Sequence, residues 1–236
     1  MLEAILFDLD GTLLPMDMDE FTGGYFRFLA QTVAPLGYDP KALVDGVWKG
    51  TAAMVKNDGS MSNKDRFWDC FSGIFGQQVY EHTPVFDQFY SNEFDRAICF
   101  TQPDPQAAQT AVAAARAAAP QVILATNPLF PAVGVRTRLK WLGLTPEDFD
   151  LVTTYENCSF CKPNPDYYRS ILQRQGLTAE HCLMIGNDVQ EDMAAATAAG
   201  LQTLLLTDCL LNKKELPITY PCSTLAELPG WLKENK

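Results

Sequence analysis

Two aspartates, Asp8 and Asp10, stand in the stretch ILFDLDGTLLP at residues 5–15, where an apolar run gives way to acids one residue apart. Gly11 follows at once and lets the backbone turn away tightly. At the carboxyl end of a sheet strand, where open α/β folds bind ligands, such a pair has clear chemical uses. Carboxylates there can hold a divalent cation through oxygen ligands while it keeps some of its water. One of them can also attack phosphorus and form an acyl phosphate. Strand alternation puts Asp8 and Asp10 on the same side of the chain. An isolated Asp-x-Asp pair is more often just an acidic turn, so the weight falls on what other segments bring to the same edge.

Three further segments end in reactive side chains. LATN places Thr126 and Asn127 after one apolar run, and LMIGNDVQED places Asn187, Asp188, Glu191 and Asp192 after another. FCKPNP places Lys162 in a proline-rich loop. A hydroxyl and an ammonium can hold phosphate oxygens. Singly, each residue has a plain structural use: Thr126 as a strand-end hydroxyl, Lys162 on the surface, Asp188 as an N-cap, Asp192 as an acid in a helix's first turn. Together and in this order they favour a catalytic site.

The elements that must position these residues can be read from hydrophobic runs. QVILAT (121–126), DLVTTY (150–155), CLMIG (182–186) and QTLLL (202–206) are continuous apolar segments, as expected of parallel strands covered on both faces. AILFDLD near the N-terminus is another. Between them, 104–119 is rich in alanine, 165–176 starts at Pro and ends at Gly, and 189–200 also closes on Gly, so all three are predicted helices. The alternation predicts an α/β fold, a doubly wound, Rossmann-like parallel sheet. Residues 16–98 differ. They are aromatic-rich and helical in period, with Phe86, Phe89, Tyr90 and Phe94 on one helix face, and no strand is evident. We expect an inserted all-helical cap at 16–98 and a discontinuous core at 1–15 and 99–236, with hinges near Leu14–Met16 and Ile98–Thr101. The aromatics are expected to form the insert's own core.

Composition narrows the function classes. A net charge of −11 argues against nucleic acid as a partner and against general attraction of anions, so any phosphate site must be local. Neither a signal segment nor a membrane-spanning run is evident, and the seven cysteines lack the spacing of a secreted scaffold. A soluble cytoplasmic protein without a membrane partner is the expectation. Cys158 and Cys161 in CSFC have no second pair to complete a zinc site and read as incidental thiols.

FDLDGTLL, ATN, CKPNPDYY and IGNDVQED resemble, in order, the four motifs of the haloacid dehalogenase-like (HAD) hydrolase superfamily. The insert after the first motif resembles the helical cap found between motifs I and II in one subclass. The resemblance implies that Asp8 is the nucleophile and Asp10 the general acid and then base. It implies that Thr126 and Asn127 bind phosphate and that Lys162 neutralises Asp8 and phosphate together. Mg2+ would touch Asp8, the Asp10 carbonyl and an acid of motif IV. This chain has Gly186-Asn187 where many relatives have Gly-Asp. Asp188 is taken as the principal carboxylate, with Asn187 as the alternative ligand and Asp192 behind it or holding Lys162.

The activity so implied is Mg2+-dependent hydrolysis of a small phosphorylated metabolite. Dehalogenases of the superfamily lack the second acid present here as Asp10, and transporting ATPases carry Thr there and have membrane segments. A sugar-phosphate mutase, a phosphonate hydrolase using a cap lysine such as Lys49, Lys56 or Lys64, and a silent scaffold are the alternatives. The substrate itself is not legible.

Overall fold

The computed structural model describes residues 1–235. Its centre is a six-stranded, wholly parallel sheet of order β3-β2-β1-β4-β5-β6. The strands are β1 (Ala4–Phe7), β2 (Gln121–Leu124), β3 (Leu151–Val152), β4 (Cys182–Gly186), β5 (Gln202–Leu206) and β6 (Cys222–Ser223). β1 lies in the middle, with Phe7 level with Leu124 on one neighbour and Ile185 on the other. The three strands therefore end side by side, and so do the loops that follow them.

Alternate residues of β1 feed two separate cores. Ile5 and Phe7 pack among side chains of α5 (Pro105–Ala118), α6 (Ala132–Trp141) and α9 (Leu228–Glu234). Ala4 and Leu6 pack with Tyr167, Tyr168 and Ile171 of α7 (Pro165–Gln175) and Ala195 and Ala196 of α8 (Ala195–Ala198). Both faces are covered, which is why these strands are apolar without alternation. The doubly wound α/β sheet is as expected.

Several elements depart from the sequence reading. β3 is only two residues long; Thr153 N still donates to Leu124 O (3.0 Å), but the next carbonyl, Thr126 O, is taken by the Thr153 hydroxyl (2.7 Å). β6, α6 and α9 are additions to the expected elements. The predicted helix at 189–200 begins as a wide-radius π turn, Val189–Ala194, before α8. At that entry the Asp192 carboxylate bonds back to the amides of Asn187 (3.1 Å) and Asp188 (3.0 Å).

Between β1 and α5 the chain forms α1 (Met18–Val33), α2 (Pro40–Val55), α3 (Asn63–Phe75), α4 (Val79–Ser91) and a 3-10 segment, Glu93–Phe100. Asp17, Asp39 and Ser62 cap the first three helices with their side chains. Phe21, Phe71, Phe86, Phe89 and Phe94 are buried in the packing of these helices. At Gly46 and Gly50 α2 comes so close to α3 that a Cβ would lie 2.4 Å and 2.6 Å from the rings of Phe75 and Phe67. Where the chain leaves and returns, Met16 pairs antiparallel with Thr101, and Gln102 N donates to Pro15 O at 2.8 Å. Among the described residues no helix is long and apolar enough to cross a membrane.

One buried side chain ties this helical segment to the loops after β2 and before Pro165–Gln175. Asn63, at the start of α3, is fully buried. Its Nδ2 donates to the carbonyls of Pro128 (3.4 Å) and Phe160 (3.3 Å) and to Cys161 Sγ (3.2 Å), while its Oδ1 accepts from Asn57 Nδ2 at 2.9 Å. Asn63→Ala would leave these groups buried without a partner. Urea unfolding should show a loss of about 1–3 kcal/mol; an unchanged midpoint and slope would remove Asn63 as the tether.

Candidate active site

The side-by-side ends of β2, β1 and β4 place the chemistry-bearing residues. The Asp8 amide still donates to Ile185 O (2.9 Å), so Asp8 prolongs β1 by one residue. Its carboxylate is buried. Asp8 Oδ1 accepts from Lys162 Nζ at 2.8 Å, and the same ammonium donates to Asp192 Oδ1 at 2.6 Å. Lys162 is 1% exposed and Asp192 1%. Burial would lower the lysine's pKa, but the two carboxylates outweigh it and hold the ammonium charged, well above its ordinary value. Burial pushes the Asp192 carboxyl up to about 7 against the pull of Lys162, as expected where one cation faces two acids.

Thr12 links the first strand end to the third. Its hydroxyl lies 3.2 Å from Asp8 Oδ2 and 3.1 Å from Asn187 Oδ1. Asn187 is buried and donates through Nδ2 to Cys209 O at 2.6 Å. Gly11 has φ +88°, and a Cβ on it would stand 2.3 Å from Asn187 Nδ2. The turn after β1 thus needs glycine for its conformation and for the approach of Asn187.

Asp188 lies differently from the expectation that made it the principal carboxylate. Its Oδ1 caps the following turn, accepting from the amides of Gln190 (2.7 Å) and Glu191 (2.8 Å). Asn187 is the motif IV side chain that meets the Asp8 turn. Asn127 Oδ1 accepts from Lys162 N (3.2 Å), and its Nδ2 donates to Glu191 Oε2 (2.9 Å), so it holds the lysine's loop. Burial raises the Glu191 carboxyl to about 7. Thr126 is buried, with its carbonyl fixed by Thr153 Oγ1 (2.7 Å) and Tyr167 OH (2.9 Å).

Asp10 takes a partner that the sequence reading did not name. β1 ends at Phe7, and residues 9–14 form a turn in which Leu14 N donates to Leu9 O (2.8 Å). From that turn the Asp10 carboxylate pairs with Arg138 on α6, with the charges of Asp8 and Lys162 also near it. Burial is the largest influence on Asp10 and raises its pKa; Arg138 opposes this, and the nearby charge of Asp8 adds to it. Arg138 is fully buried, and motif spacing alone does not single it out. A usable signal is present in the sequence, since Val135, Arg138 and Leu139 share one buried face of α6.

Cys158 and Cys161 are buried free thiols, and burial raises Cys158 to about 12 and also pushes Cys161 up. Among the described residues no three His, Cys, Asp or Glu side chains converge as a metal cluster. The Asp8 and Asn187 oxygens that meet at Thr12 nevertheless suit a hard cation, because an amide oxygen can replace an acid as a ligand.

The charge balance predicts how the site fails. Lys162→Met would leave Asp8 and Asp192 buried beside each other without a cation. Unfolding of the metal-free protein should show a loss of about 3–5 kcal/mol, and Asp192→Asn added to Lys162→Met should recover part of it. Additive losses in this double-mutant cycle would contradict the coupling.

A family model described as haloacid dehalogenase-like hydrolase matches residues 2–200. Glyceraldehyde 3-phosphate phosphatase of Methanothermobacter thermautotrophicus is 38% identical over 58 residues, which are 25% of this chain and 26% of that protein. The match therefore spans about a quarter of that relative's length. Among solved structures, 2-haloacid dehalogenase from Pseudomonas syringae pv. Tomato DC3000 aligns with a TM-score of 0.64 at 18% identity, covering 100% of both chains. A Bacillus subtilis protein described as a HAD-hydrolase bound to magnesium aligns with a TM-score of 0.58 at 20% identity, covering 98% of this chain and 99% of that one.

Proposed function

The chain belongs to the haloacid dehalogenase-like hydrolases, and from that membership we propose that it is an Mg2+-dependent phosphatase acting on a small phosphorylated metabolite through an aspartyl phosphate. One observation carries the reading. A second acid, the partly buried Asp10, stands two residues beyond an aspartate whose carboxylate is already paired with a buried lysine. Displacement of halide needs no proton donor, whereas an alcohol leaving from phosphorus does.

In this chemistry an Asp8 oxygen attacks phosphorus, the bond from phosphorus to the ester oxygen breaks, and Asp10 gives its proton to the departing oxygen. Asp10, now a carboxylate, takes a proton from water as that water attacks the phosphoryl group. The P–O bond to Asp8 breaks, and inorganic phosphate leaves. Burial favours the neutral form of Asp10 that the first step requires. Lys162 offsets the repulsion between Asp8 and phosphate, and the Thr126 hydroxyl and the 126–127 backbone receive the other phosphate oxygens. Asp8, the Asp10 carbonyl and Asn187 would hold Mg2+, with Asp188 capping the helix behind. When bound, the cation supplies charge stabilisation to the phosphoryl oxygens.

The helical segment 16–98 is read as a cap over the strand ends and residues 1–15 with 99–236 as the core. Support comes from the adjacent crossings at Met16 and Thr101 and from Asn63, which docks on the loops carrying Pro128 and Cys161. A cap there would exclude bulk water while the acyl phosphate forms.

Two measurements test the reading. Wild-type protein should hydrolyse p-nitrophenyl phosphate with Mg2+, lose turnover in EDTA, and lose it again in Asp8→Asn; activity unaffected by either change would refute the mechanism. Calorimetry should show Mg2+ binding greatly weakened in Asn187→Ala. Asp188→Ala should lose about 1 kcal/mol of stability as a missing cap and retain most of its Mg2+ affinity. The reverse ranking would return the ligand to Asp188.

A further inference from the structure

Aromatic side chains and one carboxylate line a small chamber of ≈ 40 Å³ between the inserted helices and the loops after β2 and β3. Tyr25 of α1, Trp68 of α3, and Phe86 and Tyr90 of α4 come from the insert, and Tyr155 follows β3. Asp87 of α4 supplies the carboxylate. The space holds about three waters. A wider cleft of ≈ 490 Å³ shares Trp68, Asp87 and Tyr155 with the chamber and is flanked by the exposed Asp65 and Asp69. The chamber therefore has an entrance, with Asp87 at its neck.

The polar groups on these walls have spare bonding capacity. Tyr25 is 6% exposed, and Trp68 and Tyr155 are 7% exposed. The Tyr25 hydroxyl has the Tyr90 hydroxyl as its neighbour, and the Tyr155 hydroxyl has the Trp68 indole N–H. None of the three hydroxyls bonds to the main chain or to an acid among the described residues. A phenol oxygen accepts as well as donates, and burial raises all three hydroxyls well above their ordinary range, so they remain neutral. Of Asp87 only the main-chain carbonyl is engaged, by Ser91 Oγ at 2.9 Å; its carboxylate has no partner among the described residues. None of the residues lining the chamber is Lys or Arg. Arg138 lies behind the Phe130 ring, with Asp10 as its counterion.

We propose that this chamber is a binding site for a primary alkylammonium group, with Asp87 as its ion partner, the Tyr90 and Tyr155 oxygens as acceptors, and Trp68 and Phe86 as aromatic walls. Ring faces attract cations, and an ammonium brings three N–H donors to the waiting oxygens. Size selects the kind of ammonium. A terminal CH2–NH3+ fits a space of about three waters, whereas a quaternary head with four carbons on its nitrogen does not. A carboxylate or phosphate would meet Asp87 with no cation to offset it. A neutral hydroxyl could make the hydrogen bonds but would gain nothing from the charge. In the cleft outside, Asp65 and Asp69 outnumber Lys64 and draw a cation toward the neck. The ammonium can belong to a free amine or to the alcohol portion of a phosphate ester, and only the second source rests on the phosphatase reading above.

Calorimetry of the full chain with small probes provides the test. n-Butylammonium should bind about tenfold or more tightly than n-butanol, the advantage of a charge-assisted hydrogen bond with a cation–π contact. Tetramethylammonium and butyrate should bind more weakly than n-butylammonium. Asp87→Asn keeps the size of the side chain and removes its charge, and should erase most of the preference for n-butylammonium over n-butanol. Tyr155→Phe keeps the ring and removes the oxygen, and should weaken n-butylammonium several-fold. Should either variant not fold, the four wild-type affinities decide alone. Equal affinity for n-butylammonium and n-butanol, tighter binding of tetramethylammonium, or a preference that survives Asp87→Asn would each overturn the site. Kinetics with Mg2+ then separate the two sources. If the ammonium is part of the ester, kcat/KM for 3-aminopropyl phosphate should exceed that for propyl phosphate, and the excess should vanish in Asp87→Asn. If it is a free amine, the two esters should be turned over alike while n-butylammonium still binds. Loss of turnover on every ester would overturn the phosphatase reading and leave the calorimetric result standing.

Discussion

A single buried ammonium between two carboxylates organises this molecule. Lys162 is out of water with Asp8 and Asp192 as its ion partners. Burial penalises each of these charges separately, and only their closeness makes the arrangement tolerable. That closeness demands accurate placement of three chain segments from different parts of the sequence. Asp8 comes from the end of β1, Asp192 from the turn after β4, and Lys162 from the loop before α7. The parallel register of β1 with β4 fixes the first two relative to each other. Tyr167 and Tyr168, fully buried beneath the sheet, anchor the helix that follows the third. The Asn127 side chain then holds the lysine's own backbone amide.

The second acid obeys a different constraint. Asp10 lies beyond the strand, in a turn closed by backbone bonds, and takes its counterion from α6. Two cations thus serve two acids only two residues apart, each from its own side of the sheet. Separate counterions set the two carboxylates apart, which suits the proposed division into nucleophile and proton donor. Asp10 is subject to burial and to the charge of Asp8, both of which favour its neutral form, while Arg138 pulls the other way. A group under opposed influences of this kind is suited to exchanging a proton.

Much of this arrangement is legible in the amino-acid sequence alone. The continuous apolar runs at 121–126, 182–186 and 202–206 are strands because parallel, doubly covered strands need no polar face. Chemistry-bearing residues cluster just after such runs, which is why Asp8, Thr126 and Asn187 stand out. The illegible features have physical reasons. β3 stops where the Thr153 hydroxyl takes the Thr126 carbonyl, and hydropathy does not register that. β6 has two residues and too little pattern to see. Arg138 is a charged residue on an apolar helix face, and a hydropathy reading counts it as an interruption although it is fully buried. The partner of Asp10 is not legible because a period of two says nothing past the last strand residue. Side-chain direction at a strand end depends on the turn, and Gly11 controls that turn.

Asn187 brings these points together. An acid at this position would meet Thr12 and the Asp8 carboxylate in a site where Lys162 already faces two acids. It would also face the carbonyl of Cys209, to which the present amide donates. An amide keeps an oxygen toward Thr12, gives a donor to Cys209, and adds no charge. Burial already raises the nearby Asp192, and a further buried carboxylate would raise the cost of desolvation again. On the proposed chemistry the consequence extends to the substrate: an aspartate at 187 would offset one more unit of the cation's charge, so the neutral amide trades strength of metal binding for attraction of the phosphate in a protein whose overall charge is −11.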